Sequence, residues 1–245
     1  MNPRAMVATA WRIARQLSHD PRTMAMLLLV PTLLIVLLRF VFNDSQAVFD
    51  SVGGAMLAVF PFVTMFLVTS IATLRERTSG TLERLLVMPI HKFDIIIGYA
   101  LTFSVIAVLQ VALASLVATQ WLGLDISGNF YWLLTVGILD AMLGVALGLF
   151  VSAFAKTEFQ AVQFMPVFIM PQVLLGGLFI ARDSMYPVLY EISKFLPLSY
   201  AIDAINRVVR FDTVDAEFYR NLIIIAAVIV FFLLLGAITL RRKTR

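Results

Sequence analysis

Residues 75–98 read RERTSGTLERLLVMPIHKFDIIIG, which is the longest charged interruption in the first two thirds of an otherwise apolar chain. The apolar stretches on either side, residues 53–74 and 95–124, contain no charged residue. A helix of about 20 apolar residues is long enough to cross the hydrocarbon core of a bilayer, which is roughly 30 Å thick. The charged segment is therefore predicted to be a loop at a membrane face.

The interior of this loop has the pattern of a short amphipathic helix. Thr78 or Ser79 is suited to cap its start, because a hydroxyl accepts a hydrogen bond from a free backbone N–H, and Pro89 is suited to end it. Glu83 lies near the positive end of the helix dipole, where a carboxylate is favourable. Three leucines fall on one face: Leu82, Leu85 and Leu86. Four basic residues predict that the loop is cytoplasmic: Arg75, Arg77, Arg84 and Lys92.

Composition places the chain among integral membrane proteins. Hydrophobic residues make up 61% of its 245 residues, charged residues make up 14%, and the mean hydropathy is +0.94. Ordinary soluble domains of this length are far less apolar. The sequence has no cysteine, which excludes disulfides, thiolate metal sites and cysteine nucleophiles. The net charge of +4 comes from short basic clusters beside apolar spans, a pattern that sets membrane topology and disfavours a nucleic-acid surface.

Six apolar spans predict an all-α membrane protein with a single domain, residues 1–245. Pro61 lies inside the second span, where a proline removes a backbone hydrogen bond and kinks the helix. Most of the 19 Lys and Arg residues fall on the side of the two termini, which predicts that both termini are cytoplasmic. The spans are residues 24–42, 53–74, 95–124, 126–155, 159–181 and 221–240, and residues 75–94 form the loop between the second and the third.

The first 22 residues are predicted to form an amphipathic helix that lies on the membrane. Met6, Ile13 and Leu17 share one side of such a helix, and Arg12 lies on the other. Trp11 falls at the boundary, where an interfacial anchor belongs. The alternative is a basic flank that does no more than orient the first span.

Polar side chains inside the spans are candidates for a translocation path. Asp140 lies near the middle of the fourth span, and a carboxylate inside a membrane is costly, which favours a role in transport or proton transfer. The alternative is that Asp140 faces water, because residues 132–155 alone are long enough to span. The fifth span carries prolines and glycines, which suit a gated surface and ordinary helix packing equally. The other candidates are Gln110, Gln163 and Gln172.

Residues 182–220 form a segment that is too long for a plain connector. Residues 186–195 and 198–209 show helical apolar spacing, and Pro187 and Pro197 stand where such helices start. Two short helices at or in the outer leaflet are predicted, with an external amphipathic hairpin as the alternative.

Several classes of activity lack their sequence patterns. There is no phosphate-binding G-x-x-x-x-G-K-[ST] motif and no H-E-x-x-H motif, and the two histidines, His19 and His91, both lie in predicted cytoplasmic flanks. No run of regularly spaced arginines, no filter-like loop and no internal repeat is evident. Catalysis by the chain itself is therefore not expected, and a membrane subunit that draws energy from another protein is favoured.

The loop resembles the cytoplasmic motif of type-2 ABC exporter permeases, in the drug-resistance branch typified by daunorubicin-resistance permeases. The shared pattern is E-R-x-x-G-T-L-E-R-L-L-x-x-P, followed by Gly98. The resemblance extends to the amphipathic start, the six spans and the sequence PLSY at residues 197–200, so it covers nearly the whole chain. The matching positions are Glu76, Arg77, Gly80, Thr81, Leu82, Glu83, Arg84, Leu85, Leu86 and Pro89.

The resemblance implies a mechanical role for the loop. Residues 80–88 would form a coupling helix in a groove of a separate ATP-binding subunit, with the motif positions and Arg75 as the contact region. Two permease subunits and two ATPases would form the exporter, and ATP and Mg²⁺ would bind in the partner, so no cofactor is expected in this chain. Pro197 and Tyr200 would lie near an extracellular gate.

The resemblance also implies the cargo and the location. The chain has no large external domain and no fused ATPase, which favours an amphiphilic small molecule, drug-like or lipid-like, moved out of the cytoplasm or inner leaflet. The expected location is the plasma (inner) membrane of a prokaryote. Two alternatives stay open: an ATP-independent channel or proton-coupled carrier that uses Asp140, and a membrane anchor that transports nothing.

Overall fold

A computed structural model describes residues 3–81, 87 and 91–239 of the chain, and these residues form α-helices joined by short turns without a single β-strand. The helices in the described part of the chain are α1 Pro3–Ser18, α2 Pro21–Val41, α3 Gln46–Thr78, α4 Lys92–Leu116, α5 Phe130–Ser152, α6 Glu158–Phe168, α7 Met170–Leu175, α8 Pro187–Ser193, α9 Pro197–Arg210 and α10 Ala216–Thr239. The α4 helix continues into a π-helical turn, Val117–Trp121, and a 3₁₀ turn, Arg182–Ser184, precedes α8.

Five of these helices are long and apolar enough to cross a membrane. They are α2, α3, α4 with its π-helical turn, α5 and α10. They overlap the predicted spans at residues 24–42, 53–74, 95–124, 126–155 and 221–240, although their bounds differ, and α3 extends beyond its predicted span at both ends. The prediction of long apolar helices is confirmed for these five stretches.

The stretch predicted as the fifth span is not one helix. Residues 159–181 contain α6, which begins one residue earlier and has 11 residues, and α7, which has 6. Pro166 lies inside α6 and Pro171 lies in the first turn of α7. Proline has no backbone N–H, so Pro171 cannot donate to the carbonyl one turn earlier, and the helix breaks there. Each piece is shorter than the roughly 20 residues that a straight crossing needs.

The packing core of the fold lies between α3 and α5. A Cβ atom added to Gly144 would lie 2.4 Å from the Phe62 carbonyl oxygen, and one added to Gly148 would lie 2.6 Å from the Phe66 carbonyl oxygen. Glycine is therefore needed at both positions, because the backbone of α3 occupies the space that a side chain would fill. Close approach through small residues is the usual way in which membrane helices pack.

Helix contacts define two ends of this bundle. The end at which α3 and α5 finish and α4 and α6 begin is termed the loop end, because the connection from α3 to α4 starts and finishes there. At the opposite end, Arg39 Nε donates to the Leu122 carbonyl at 3.1 Å and Gln46 Nε2 donates to the Gly123 carbonyl at 2.7 Å. These bonds tie the connection between α4 and α5 to α2 and α3.

The same connection is bound to α9 at the opposite end. The backbone N–H groups of Ser127 and Gly128 donate to the carbonyls of Val209 and Val208, at 3.0 and 2.9 Å. The last carbonyls of a helix have no partner within the helix, and here the neighbouring loop supplies one. Both helices of the 182–220 segment begin at a proline, as the sequence predicts.

The N-terminal helix α1 lies across the start of α4 at the loop end. A Cβ atom on Gly98 would lie 2.7 Å from Thr9 Cβ, so glycine permits this approach. Thr102 Oγ1 donates to the Ala10 carbonyl at 2.8 Å, which joins the two helices. Trp11 of α1 is 72% exposed.

Candidate functional site

Three consecutive residues at the end of α3 bind three different parts of the chain. Successive residues of a helix point about 100° apart, because one turn holds 3.6 residues. Arg75 therefore reaches α6, Glu76 reaches α1 and α4, and Arg77 reaches the end of α5. We term these three residues the α3 anchor, since they begin the predicted coupling loop and precede its predicted helix at residues 80–88.

Glu76 makes the most buried of these contacts. It is only 6% exposed, and Arg12 Nη1 donates to its Oε1 at 3.0 Å and to its Oε2 at 3.3 Å. Arg12 Nη2 also donates to the Tyr99 hydroxyl at 3.3 Å, so α4 joins the group. Burial on its own lowers the pKa of Arg12, but the hydrogen bond to Glu76 and the nearby negative charge outweigh it and raise that pKa above its ordinary value. The pair fixes α1 to the end of α3.

Arg75 makes a bidentate but exposed ion pair with Glu158, the first residue of α6. Its Nε lies 2.6 Å from Glu158 Oε1 and its Nη2 lies 2.9 Å from Oε2. The hydrogen bond from Arg75 lowers the pKa of the Glu158 carboxyl below its ordinary value. The two parallel hydrogen bonds fix the orientation of the Arg75 guanidinium relative to the Glu158 carboxylate, although both side chains are largely in contact with solvent.

Arg77 binds the carbonyl groups that end α5. Its Nη1 donates to the Ala153 carbonyl at 2.7 Å, and its Nη2 donates to the Ala155 carbonyl. The last carbonyls of a helix carry partial negative charge and lack partners within the helix, so a guanidinium stabilises them. The end of α3 and the end of α5 are joined in this way.

Only part of the predicted coupling helix falls within the described residues. Gly80 has a φ of +77°, a left-handed conformation that glycine adopts without strain, and it lies just beyond the end of α3. Thr81 follows it, with its Oγ1 3.0 Å from Ser79 Oγ. The remaining predicted contact residues lie outside the described residues: Leu82, Glu83, Arg84, Leu85, Leu86 and Pro89.

The four candidates for a translocation path differ in their exposure and in their partners. Asp140 and Gln110 are fully buried, Gln172 is 4% exposed, and Gln163 is exposed on α6. Gln110 Nε2 donates to the Leu27 carbonyl at 2.6 Å, which links α4 to α2. Neither carboxylate oxygen of Asp140 has a hydrogen-bond partner among the described residues. Only Gln163 lies at a surface of the chain.

Gln172 joins the broken helix to α9, near the residues predicted to form a gate. Its Oε1 accepts a hydrogen bond from the Leu198 backbone N–H at 3.3 Å, and its Nε2 donates to the Phe168 carbonyl at 2.8 Å. Pro197 is buried at the start of α9, and the Tyr200 hydroxyl donates to the Lys194 carbonyl at 2.7 Å. The two gate candidates therefore lie in the packed first turn of α9.

A partly buried ion pair beside these residues has no signal in the sequence. Arg182 Nη1 lies 2.5 Å from Asp203 Oδ2, and its guanidinium carbon lies 5.4 Å from the centre of the Tyr200 ring. Burial raises the pKa of the Asp203 carboxyl above its ordinary value, although Arg182 acts in the opposite direction. The partners are 21 residues apart on separate elements, so no local spacing signalled the contact. Within the described ranges, no cluster of three His, Asp or Glu side chains is placed to hold a metal ion.

Several curated proteins of Escherichia coli strain K12 are similar to this chain. The probable multidrug ABC transporter permease YbhR is 25% identical over 154 residues, which cover 63% of this chain and 42% of YbhR. The probable multidrug ABC transporter permease YbhS is 22% identical over 208 residues, which cover 84% of this chain and 55% of YbhS. The inner membrane transport permease YhhJ is 25% identical over 152 residues, which cover 61% of this chain and 41% of YhhJ. The chain spans about half the length of these relatives.

The family match covers most of the chain. The sequence pattern of the family described as ABC-2 type transporter matches residues 4–209, from the start of α1 to the end of α9. This range contains the α3 anchor, four of the five long apolar helices and the broken helix. The chain is therefore a multi-pass membrane protein that belongs to the ABC-2 type transporter family.

Proposed function

We propose that this chain is the transmembrane subunit of an ATP-driven exporter that moves an amphiphilic small molecule out of the cytoplasm or the inner leaflet. A separate ATPase subunit, in two copies or as a heterodimer, supplies the energy and holds ATP and Mg²⁺. A second permease, identical or diverged, completes the path. The observation that carries the proposal is the α3 anchor, because it joins the predicted ATPase-binding loop to α1, α5 and α6 at once.

The proposed mechanism is mechanical. ATP closes the paired ATPases, and a loop helix at residues 80–88 moves with the surface on which it rests. Arg75 and Arg77 pass that displacement to the start of α6 and the end of α5, while Glu76 carries α1 along. The path between the two permeases then opens to the other face of the membrane. No chemical step by a side chain of this subunit is required.

A topology of six crossings fits this mechanism. Glu158 is held at the loop end by Arg75, whereas Gly177 approaches Arg182 and Asp203 near the opposite end. These contacts support a crossing by residues 159–181 as a broken helix, which is tolerated in membranes where neighbouring helices satisfy the freed backbone groups. With that crossing, both termini lie on the side of the basic loop, which we propose is the cytoplasm.

The proposed cargo and location rest partly on the relatives. YbhR and YbhS are named as probable multidrug permeases, and YhhJ as an inner membrane permease. A related cargo would be amphiphilic, and the location would be the plasma membrane of a prokaryote. The closer grouping with daunorubicin-resistance permeases stays a prediction. The burial of Asp140 away from every surface disfavours a proton-coupled carrier that uses its carboxylate.

The test is co-reconstitution of the chain with its ATPase and its second permease in proteoliposomes. The combined variant Glu83→Ala and Leu86→Ala should insert normally but lose ATPase association and ATP-driven export of a fluorescent amphiphile. Leu37→Ala is the matched control, because Leu37 is 60% exposed on α2, away from the loop.

Three outcomes would overturn the proposal. Export that survives the loop variant would remove the coupling role. Transport without nucleotide that disappears in Asp140→Asn would favour the carrier, and an unchanged distribution of every tested amphiphile on deletion would favour a membrane anchor.

A further inference from the structure

Two neighbouring cavities of opposite character share part of one wall. A polar cavity of about 610 Å³ lies at the opposite end from the loop, between the first turns of α3, the end of α9 and the start of α10. An apolar groove of about 580 Å³ runs between α2, α3, α6 and α7. Leu178 and Phe179 line both of them. Both volumes fall in the range of small-molecule sites, which is roughly 300–1,000 Å³.

The two cavities follow each other along α3. Ser51 and Ala55 of α3 line the polar cavity. The α3 residues that line the apolar groove extend from Met56 to Val68. At 1.5 Å per residue, the groove follows α3 for about 18 Å, which is more than half of the roughly 30 Å hydrocarbon core. A ligand that occupies both would have one end at the rim of the bundle and the other deep among apolar helices.

The wall of the polar cavity is basic. Five Lys or Arg side chains and three Asp or Glu side chains line it. Two acids that balance these charges, Glu191 and Asp215, bind Lys194 and Arg207 but are not part of the wall. The lining side chains therefore carry a net positive charge, since five cations face three carboxylates, and this charge favours an anionic ligand.

Arg210 is the free cation of this wall. It lies at the end of α9, is exposed, and has no ion-pair partner within residues 3–81, 87 and 91–239. Arg182 differs, because Asp203 and Ser193 already bind it. An anion that enters the cavity can thus pair with Arg210 without breaking an existing ion pair, and a bidentate contact is the favoured geometry for guanidinium.

We propose that the polar cavity and the apolar groove form one binding site for an amphiphile whose head group carries an anionic phosphate, sulfate or carboxylate. The head group binds beside Arg210, and the tail lies in the groove along α3, with Leu178 and Phe179 at the junction. That this amphiphile is the cargo rests on the proposed function; that it binds does not.

Binding is tested on the purified full-length permease in a nonionic detergent, without ATPase or nucleotide, by native mass spectrometry across a concentration series. The probes are dodecyl phosphate, dodecyltrimethylammonium and inorganic phosphate, which separate the head group from the tail. Dodecyl phosphate should bind at least about tenfold more tightly than either of the others. Equal binding of dodecyltrimethylammonium or of inorganic phosphate would overturn the proposal.

Matched variants locate the bound probe. Arg210→Gln should weaken the binding of dodecyl phosphate about tenfold, the effect of one charge-assisted hydrogen bond, whereas Arg15→Gln, an equal charge change at the loop end, should not.

A second pair of variants tests the position of the tail. Val63→Phe fills the groove and should also weaken binding, whereas Val230→Phe on the exposed face of α10 should not. If Val63→Phe does not assemble, Met170→Phe fills the groove from a more exposed position. Unchanged affinity in both cavity variants would refute the site.

A competition experiment distinguishes a bilayer lipid from a free single-tailed amphiphile as the natural ligand. Displacement of dodecyl phosphate by phosphatidylglycerol would support a bilayer lipid as occupant, and no displacement would support a free single-tailed amphiphile. A permease that binds but never exports would overturn the proposed function and leave the site standing. Export without any preference for the anionic probe, together with unselective binding, would overturn the site alone.

Discussion

Helix α5 and the α6–α7 pair were both predicted as apolar spans, yet they pack in opposite ways. Fourteen of the 23 residues of α5 are buried, among them two glycines that touch the backbone of α3. In α6 only Ala161 is buried, and in α7 only Gln172. The α5 helix is therefore a central packing element, whereas the α6–α7 pair lies at the edge of the bundle.

This difference separates a fixed part of the molecule from a part that can move. Segments with few buried contacts open at lower free energy than the core does. Two side-chain hydrogen-bonded contacts attach the α6–α7 pair to other helices, from Arg75 to Glu158 and from the Leu198 backbone to Gln172. We expect α5 to stay in place while α6 and α7 change position, and four measurements test that expectation.

The largest effect is expected from Gly144→Ala in α5. The new Cβ would lie 2.4 Å from the Phe62 carbonyl oxygen, so α3 and α5 must separate, at a cost of about 3 kcal/mol of unfolding free energy. Thermal unfolding in detergent measures the loss. Gly236→Ala in α10 is the control, because its nearest neighbour would be 3.8 Å away, and it should unfold no earlier than the parent. Equal tolerance of the two changes would mean that α5 is not the fixed element.

The second effect concerns the attachment of α1 to this fixed part. Glu76→Gln keeps the shape of the side chain but removes the charge that binds Arg12, and should lower the unfolding free energy by about 1–2 kcal/mol. Limited proteolysis should cut α1 earlier in this variant. Glu191→Gln breaks the exposed pair with Lys194 and should change neither readout. Unaltered protection of α1 would contradict a role for Glu76 in holding it.

A smaller effect is expected from Pro171→Ala in the broken helix. The variant regains a backbone N–H that can donate to the Val167 carbonyl, which is worth about 1 kcal/mol. Hydrogen–deuterium exchange at residues 170–173 should slow about fivefold, and the contrast with α5 should shrink. Pro187→Ala serves as the control, because Pro187 stands in the first turn of α8 and interrupts no helix. Unchanged exchange in Pro171→Ala would assign the break to packing instead of to proline.

The smallest effect on stability is expected from Arg75→Gln. Arg75 and Glu158 are 63% and 50% exposed, so their ion pair contributes about 0.5 kcal/mol. Because this pair lowers the pKa of Glu158 in the folded state, its contribution is complete at neutral pH and is lost as the pH falls through that lowered pKa. Unfolding temperatures of the parent and Arg75→Gln should therefore converge in acid.

Hydrogen–deuterium exchange tests whether this pair restrains α6. Faster exchange in α6 of Arg75→Gln at neutral pH would confirm the restraint. A loss of unfolding free energy well above 1 kcal/mol would contradict the exposed character of the pair.

Hydropathy predicted most of the architecture, because a membrane-crossing helix has to be apolar over its whole length. The sequence does not reveal the break in residues 159–181, because hydropathy alone does not distinguish a continuous helix from two short ones and Pro166 and Pro171 are compatible with both. Prolines are tolerated in membrane helices, as the uninterrupted α3 with Pro61 illustrates. Their effect depends on neighbouring helices that only the fold reveals.

The sequence indicated where the charged residues of the candidate site lie, but not which residues they bind. The charges of the α3 anchor were visible in the sequence, yet their partners lie 64 to 83 residues away along the chain. The partners of polar residues inside the spans were equally invisible in the sequence, because Gln110 and Gln172 bind backbone groups of other helices. A polar side chain inside a membrane must find a partner somewhere, and packing partners are as common as transport roles.

The bonds from Ser127 and Gly128 to the end of α9 bear on how the topology of this chain is to be mapped. A Cβ atom on Gly128 would lie 2.6 Å from the Val208 carbonyl oxygen, so this connection has no room for added residues. A reporter epitope inserted there would detach α9 and give the accessibility of a damaged protein. Residues 212–214, which connect α9 to α10 and are largely exposed, offer a site where an inserted epitope would report the side of the membrane faithfully.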